Sequence, residues 1–278
     1  MLIRAVRKVL RPDYIAAGAV LAFGLAGQAF AGTSLSCAGF PKNETVFVGG
    51  PAATFVAVCK IVELKAPLTP TLEVTTNEGD VTAHGGHNET SIPVYARIIA
   101  RDTTAAKATT LLNSVTISTA NGTISAKNPK VNFPQDLKID YEVFTPSITE
   151  ASLTSAVGNV TADNYTTALN ATANVGNVSL QTIDGDVKAN TGSGSITINL
   201  SGTAWTGAGL TATAAVGNIL LSRPEGYQAA ITATAGIGVA EVDGQVKAFP
   251  FPATLTASSG QPIKLTSRVG NVTVVRTN

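Results

Sequence analysis

The side chains that could do chemistry here are few. The two histidines, His84 and His87, stand three apart in Ala83-His84-Gly85-Gly86-His87-Asn88-Glu89. Two imidazoles with a carboxylate nearby are a ligand set for zinc or copper. The adjacent glycines and the missing helical pattern give the pair no enforced common face, so the other reading is a solvated loop, and no metal site is assigned. Asp184, Asp186 and Lys188 form a second group, and Asp243 and Lys247 sit in a similar unit. Carboxylates with a lysine along one groove are what a polysaccharide-cleaving β-helix would use. A surface strand with cross-paired charges explains the same residues. A serine nucleophile would have only these two histidines as imidazole base, and no Gly-x-Ser-x-Gly elbow occurs. There is no phosphate-binding loop, and Gly192-Ser193-Gly194 lacks a dinucleotide fingerprint running from strand into helix. No catalytic residue and no cofactor is read from the sequence.

Binding offers a different set. Trp205, the only tryptophan, lies in Thr203-Ala204-Trp205-Thr206-Gly207. Tyr227 follows Pro224, and Phe249 and Phe251 alternate with prolines in Phe249-Pro250-Phe251-Pro252. Prolines exclude that last stretch from a central strand. Aromatics on loops of a rigid scaffold are common binding material, so these four are the candidate binding residues. The alternative is that each plugs its own stretch of core.

The elements that must carry these residues are strands. Gly176, Gly185 and Gly194 are nine residues apart, and after each the apolar residues alternate: Val178 and Leu180, Val187 and Ala189, Ile196 and Ile198. Period two sends one set inward and the other outward. Glycine takes the positive-φ corner that starts each strand. Two strands per 18-residue coil follow. Further on, Gly194, Gly217, Gly238 and Gly260 are 23, 21 and 22 apart, one coil each with slightly longer loops. Self-similarity of about 20 residues indicates a solenoid, here a parallel β-helix. Asn159, Asn177, Asn218 and Asn271 share one position after the corner and would stack as an amide ladder. An antiparallel sandwich with Asn-Gly and Asp-Gly hairpins is the alternative. Earlier echoes occur at Gly79 and Gly122. Between these two, residues 102–113 have helix character, with Asp102 or Thr103 as cap.

Composition agrees with an exported all-β protein. Only 13% of residues are charged. Arg4, Arg7, Lys8 and Arg11 precede an apolar run from Tyr14 to Gly27, which ends at Ala29-Phe30-Ala31. This pattern reads as a signal peptide over 1–31 cleaved after Ala31; the run is shorter than the roughly 20 residues a spanning helix needs. Removing its four bases and one acid from the totals of 19 and 18 leaves 15 and 17, a net −2. That is no footprint for nucleic acid. Cys37 and Cys59 are the only cysteines and are expected to pair in an oxidising compartment; two buried free thiols are the alternative. The expected organisation is a β-rich region over 32–145 and solenoid repeats over 146–278. No integral membrane segment is expected after signal cleavage.

These features together resemble the bacterial putative-adhesin family. The carriers are the repeated Gly-[Asp/Asn/Ser]-[Val/Ile] corners, the segment Ile92-Pro93-Val94-Tyr95-Ala96-Arg97-Ile98-Ile99-Ala100 before the Ala-rich helix, and Leu137-Lys138-Ile139-Asp140-Tyr141-Glu142-Val143-Phe144-Thr145-Pro146 before the repeats. The resemblance spans roughly residues 45 to 278. It implies a right-handed parallel β-helix-like fold, export, and an adhesive or scaffolding role without catalysis. The expected protein is secreted, periplasmic or attached to the cell surface, with a protein or glycan of the envelope as partner. The alternative function is a carbohydrate-active β-helix enzyme, a lyase or hydrolase.

Overall fold

A computed structural model of the chain describes residues 33–47, 52–127, 131, 135–248, 252–257 and 260–277. The proposed signal segment lies outside them. The first section lays down β1 (Lys42–Phe47), β2 (Ala52–Ala66), β3 (Thr71–Glu78), β4 (Val81–His84), β5 (Ile92–Asp102), α1 (Ala105–Ser114), β6 (Thr116–Ser118), β7 (Thr123–Lys127) and β8 (Asp136–Phe144). Pairs of one long and one short strand follow: β9 (Glu150–Val157) with β10 (Val160–Asp163), β11 (Leu169–Val175) with β12 (Val178–Gln181), β13 (Asp186–Ser193) with β14 (Ile196–Asn199), β15 (Gly209–Val216) with β16 (Ile219–Pro224), and β17 (Ala230–Ile237) with β18 (Ala240–Val242). The short β19 (Gln245–Lys247) and β20 (Ala253–Ala257) precede a final pair, β21 (Pro262–Val269) and β22 (Val272–Thr277).

The described strands belong to two sheets. The 12-stranded sheet runs β1-β2-β5-β8-β4-β10-β12-β14-β16-β22-β18-β19, and the 10-stranded sheet runs β20-β17-β21-β15-β13-β11-β9-β3-β7-β6. Each coil gives its long strand to one sheet and its short strand to the other, and successive coils pair in parallel. β3 and β4 pair in parallel with β9 and β10, so residues 71–84 belong to the same stack as the later repeats. At the ends, pairing turns antiparallel: β1, β2, β5 and β8 at one, β19 and β20 at the other. Short terminal strands limit the open edge a sheet offers for aggregation.

The coils do not stack in chain order. β21 and β22 sit between the β15–β16 coil and the β17–β18 coil. A Cβ on Gly270 would lie 2.1 Å from the carbonyl oxygen of Gly217, and one on Gly238 would lie 2.2 Å from that of Gly270. The equal spacing of Gly217, Gly238 and Gly260 therefore misreads the order. Gly260 stands outside the corner column, against Ala229. Glycine spacing counts residues per coil, whereas β19 and β20 lie beyond the β17–β18 coil before β21 and β22 pair on its other side.

The core follows from side-chain size. Inward residues of the long strands shrink toward the glycine corner: Leu169, Ala171, Ala173; Leu210, Ala212, Ala214; Ile231, Ala233, Ala235, all buried. The corner is a two-residue link, so the sheets converge there, and the small inward residues of the long strand leave room for the first residue of the short strand, such as Val178 or Ile196, both buried. Toward the opposite corners the buried residues are large: Tyr165, Ile183, Trp205 and Tyr227. Full burial of a Val, Leu or Ile side chain contributes about 1.5–3 kcal/mol, and the repeat supplies several per coil. The helix α1 buries Ala108, Leu111 and Leu112. Its cap is Thr104, whose Oγ1 accepts from Lys107 N at 3.3 Å, one residue later than Thr103 and two later than Asp102, the caps expected. Asp102 instead accepts from Gln135 Nε2 at 3.1 Å.

Cys37 and Cys59 form a disulfide. It ties the lead-in to β2, closing a loop of 22 residues, which is worth roughly 3 kcal/mol through the unfolded chain.

Candidate functional site

The outer face of the 10-stranded sheet carries a hollow. Strand alternation decides what lines it: between buried Leu169 and Ala171, Asn170 points out; between buried Val187 and Ala189, Lys188 points out. A depression of about 640 Å³ is lined by Glu73, Thr123, Ser152, Asn170, Asp186 and Lys188, among others. A second, of about 280 Å³, is lined by Asp186, Lys188, Thr211 and Lys264, among others. The two share Asp186 and Lys188, so the hollow crosses several coils. Its floor is polar and charged with both signs.

The register is direct. Glu73 pairs with Ser152, Ser152 with Asn170, Asn170 with Lys188, Lys188 with Thr211 and Thr211 with Lys264. Two residues further along the strands, Thr154, Thr172, Asn190, Thr213 and Thr266 make a parallel column. Parallel strands repeat at about 4.8 Å, so each column presents one polar side chain per step.

The expected amide ladder forms in part: Asn177 and Asn159 bond amide to amide, whereas Asn218 and Asn271 accept from backbone N–H groups of the next corner. Asn159 Nδ2 donates to Asp80 Oδ1 at 3.2 Å, and Asn177 Nδ2 to Asn159 Oδ1 at 3.3 Å. Asn177 Oδ1 accepts from Ser195 N at 2.8 Å. Ser195 has no amide to pass the pattern on. It resumes at Asn218, whose Oδ1 accepts from Asn271 N at 2.8 Å, and Asn271 Oδ1 accepts from Val239 N at 2.9 Å. These amides satisfy corner N–H groups and hold coil on coil.

The acidic residues divide by role. Asp184 clamps the loop above it: Oδ1 accepts from Gly185 N, Thr206 N and Gly207 N at 2.8, 3.0 and 3.1 Å, and Oδ2 accepts from Thr206 Oγ1. Burial would raise its pKa, but these donors outweigh it and hold the carboxyl below the usual range. Asp243 Oδ2 accepts from Arg223 Nη2 at 2.5 Å and Arg276 Nη2 at 3.0 Å. Both carboxylates are engaged in structure. Asp186 accepts from Ala208 N at 2.7 Å while bordering the hollow with Lys188. Lys247 lies on β19, at the far end of the other sheet.

Both histidines pack on Phe144. His84 ends β4; its Nδ1 lies 2.6 Å from Asp163 Oδ2 and its Nε2 3.4 Å from Glu142 Oε1. The ring stacks on Phe144, which also meets the rings of His87 and Tyr95 edge-on. Glu142 accepts from Thr33 Oγ1, from Ser34 N at 2.8 Å and from Ser34 Oγ at 2.8 Å. This cluster pins the lead-in across β8. Among the described residues no group of three or more His, Cys, Asp or Glu is arranged to hold a metal ion.

Trp205 and Tyr227 are in the core, 3% and 5% exposed. Their loops lie side by side: Trp205 N donates to Gln228 O at 3.2 Å and Gln228 N to Thr203 O at 2.8 Å. Phe249 and Phe251 lie outside the described residues. The hollow was missed in sequence because its residues are ordinary strand polars, paired neighbours being 18 to 79 positions apart along the chain; the signal was the outward half of each alternating repeat.

An all-β chain of two stacked sheets, coiled with glycine corners and carrying a polar hollow on one face, defines the class. The chain belongs to the Toastrack DUF4097 family, which it matches over residues 41–275, in keeping with the putative-adhesin resemblance of its repeats. No curated protein matches. Among solved structures, it is similar to a putative cell adhesion protein from Clostridium sporogenes ATCC 15579, with 11% identity, covering 79% of this chain and 100% of that one at a TM-score of 0.41. A putative adhesin from Bacteroides fragilis NCTC 9343 is 18% identical, covering 79% and 97%, at a TM-score of 0.39. No helix among the described residues is long and apolar enough to cross a membrane.

Proposed function

We propose that this is an exported, non-enzymatic protein that presents one face of a right-handed β-solenoid to a protein or glycan of the cell surface or envelope, as an adhesin or scaffold. The observation that carries this reading is the in-register polar face over the hollow of the 10-stranded sheet. Solenoids use such extended surfaces for binding. A polar surface held in register by buried strands loses little conformational freedom on binding. The disulfide fits an oxidising compartment. Export itself is checked by sequencing the amino terminus of the native protein, expected at Gly32.

The test is co-sedimentation with an envelope fraction from a native host. Saturable retention is expected, lost in Lys188→Ala/Lys264→Ala and kept when outward residues of the 12-stranded sheet, such as Thr197, are changed. Retention unaffected by the first pair and abolished by the second moves the binding face. Turnover of a polysaccharide that Asp186→Ala abolishes would replace this reading with a lyase or hydrolase.

A further inference from the structure

We infer that the hollow on the 10-stranded sheet binds an uncharged linear polysaccharide laid along the stacking axis; this names the ligand of the face proposed above and rests on that reading. The column Glu73, Ser152, Asn170, Lys188, Thr211 and Lys264 runs across six coils without a register shift. Its members point outward while their chain neighbours are buried. With one polar side chain every 4.8 Å or about that, a ligand satisfied at one step is satisfied at the next only if its own groups recur along its length. A sugar polymer recurs on that scale, one ring per step. The two depressions joined at Asp186 and Lys188 make the hollow elongated, which suits a chain better than a compact small molecule.

Charge narrows the class. Glu73 and Glu150 border one end of the hollow and Lys264 the other, with Asp186 and Lys188 side by side on β13 between them. A polyanion would meet the glutamates and a polycation the lysines. The intervening Ser, Thr and Asn groups both donate and accept, as sugar hydroxyls do, and water bridges complete such contacts at little cost. An added β-strand has no place here, because strand addition needs an open sheet edge and this is a sheet face. A second copy of the chain, antiparallel with Glu73 facing Lys264, is the competing occupant.

The exported protein, disulfide intact, is titrated by calorimetry with linear oligosaccharides of the neutral β-glucan, xylan, mannan and chitin series at increasing length, and with oligogalacturonate as the anionic arm. At least one neutral series is expected to bind, with affinity rising per added sugar to about six units, the number of steps in the column, and then levelling. Oligogalacturonate is expected to bind at least tenfold more weakly. Asn170→Ala/Thr211→Ala is expected to weaken binding by about tenfold or more through lost hydrogen bonds. Both side chains are exposed, and an unchanged melting midpoint certifies the fold. The inference is overturned if no neutral series binds, if affinity ignores length, if the double variant binds as the parent does, or if sedimentation finds a dimer that Glu73→Lys dissociates. Envelope retention that survives while every glycan fails refutes the ligand class and leaves the binding face standing; loss of both removes the face as well.

Discussion

Gly194 rests on the carbonyl oxygen of Gly176: a Cβ added at Gly194 would lie 2.0 Å from it. Gly176 N donates in turn to Ser193 O at 2.9 Å. The same closeness repeats along the column through Gly158, Gly217, Gly270 and Gly238, with φ between +141° and +151°. Backbone meets backbone at this corner, so neither the conformation nor the space admits a side chain.

Gly194→Ala is therefore expected to destabilise the fold by more than about 2 kcal/mol, adding a clash to the strain of a positive φ. For a chain of this size each kcal/mol lowers the melting temperature by roughly 2–4 °C. Gly226→Ala is the control. Gly226 also has positive φ, +74°, but nothing lies within 4 Å of its added Cβ, so only strain of about 1 kcal/mol is expected. Calorimetric melting of both variants checks the difference; equal shifts would refute the close stacking.

The cluster at His84 predicts a pH optimum for stability. The hydrogen bond to Asp163 leads in raising the His84 pKa above its ordinary 6.5, outweighing burial. The folded chain thus holds that proton more tightly, and the stabilisation is complete below pH 6.5 and fades as pH rises through the raised value. Burial pushes Glu142 up, but the hydrogen bonds from Thr33 and Ser34 win and hold it below its ordinary 4.5. Its contribution is present above 4.5 and is lost as pH falls through the lowered value. The melting temperature is expected to be highest between pH 4.5 and 6.5. His84→Gln should flatten the loss on the alkaline side and leave the acid side in place. A parent profile that is level from pH 5 to pH 8 would contradict the role given to His84.

The interleaved last coil gives a third test. Deleting residues 262–277 removes β21 and β22, which separate β15–β16 from β17–β18. β17 would keep only its antiparallel neighbour β20. Limited proteolysis of the truncated protein is expected to open the whole of 225–257, whereas stacking in chain order would leave the 230–242 coil protected. Mass spectrometry of the fragments distinguishes the two.

The local unit follows from the residues alone. Glycine at Gly176, Gly185 and Gly194, followed by alternating Val, Leu and Ile, permits a corner and a strand with one buried face, and little else, because period two and positive φ are properties of the residues themselves. Pairing of Cys37 with Cys59 was likewise legible, there being no other partner. Tertiary structure decided what needs distant segments to meet. The order of the last coils depends on loop reach, since each coil offers nearly the same edge and pattern. His84 finds Asp163 and Glu142 at separations of 79 and 58 residues, which no local spacing encodes. Trp205 and Tyr227 sit in loops that could face either way; the end of the core opposite the glycine corner took them in. The polar hollow, too, exists only once Asn170, Lys188 and Thr211 stand in register, because a column is a property of the stack and of no single strand.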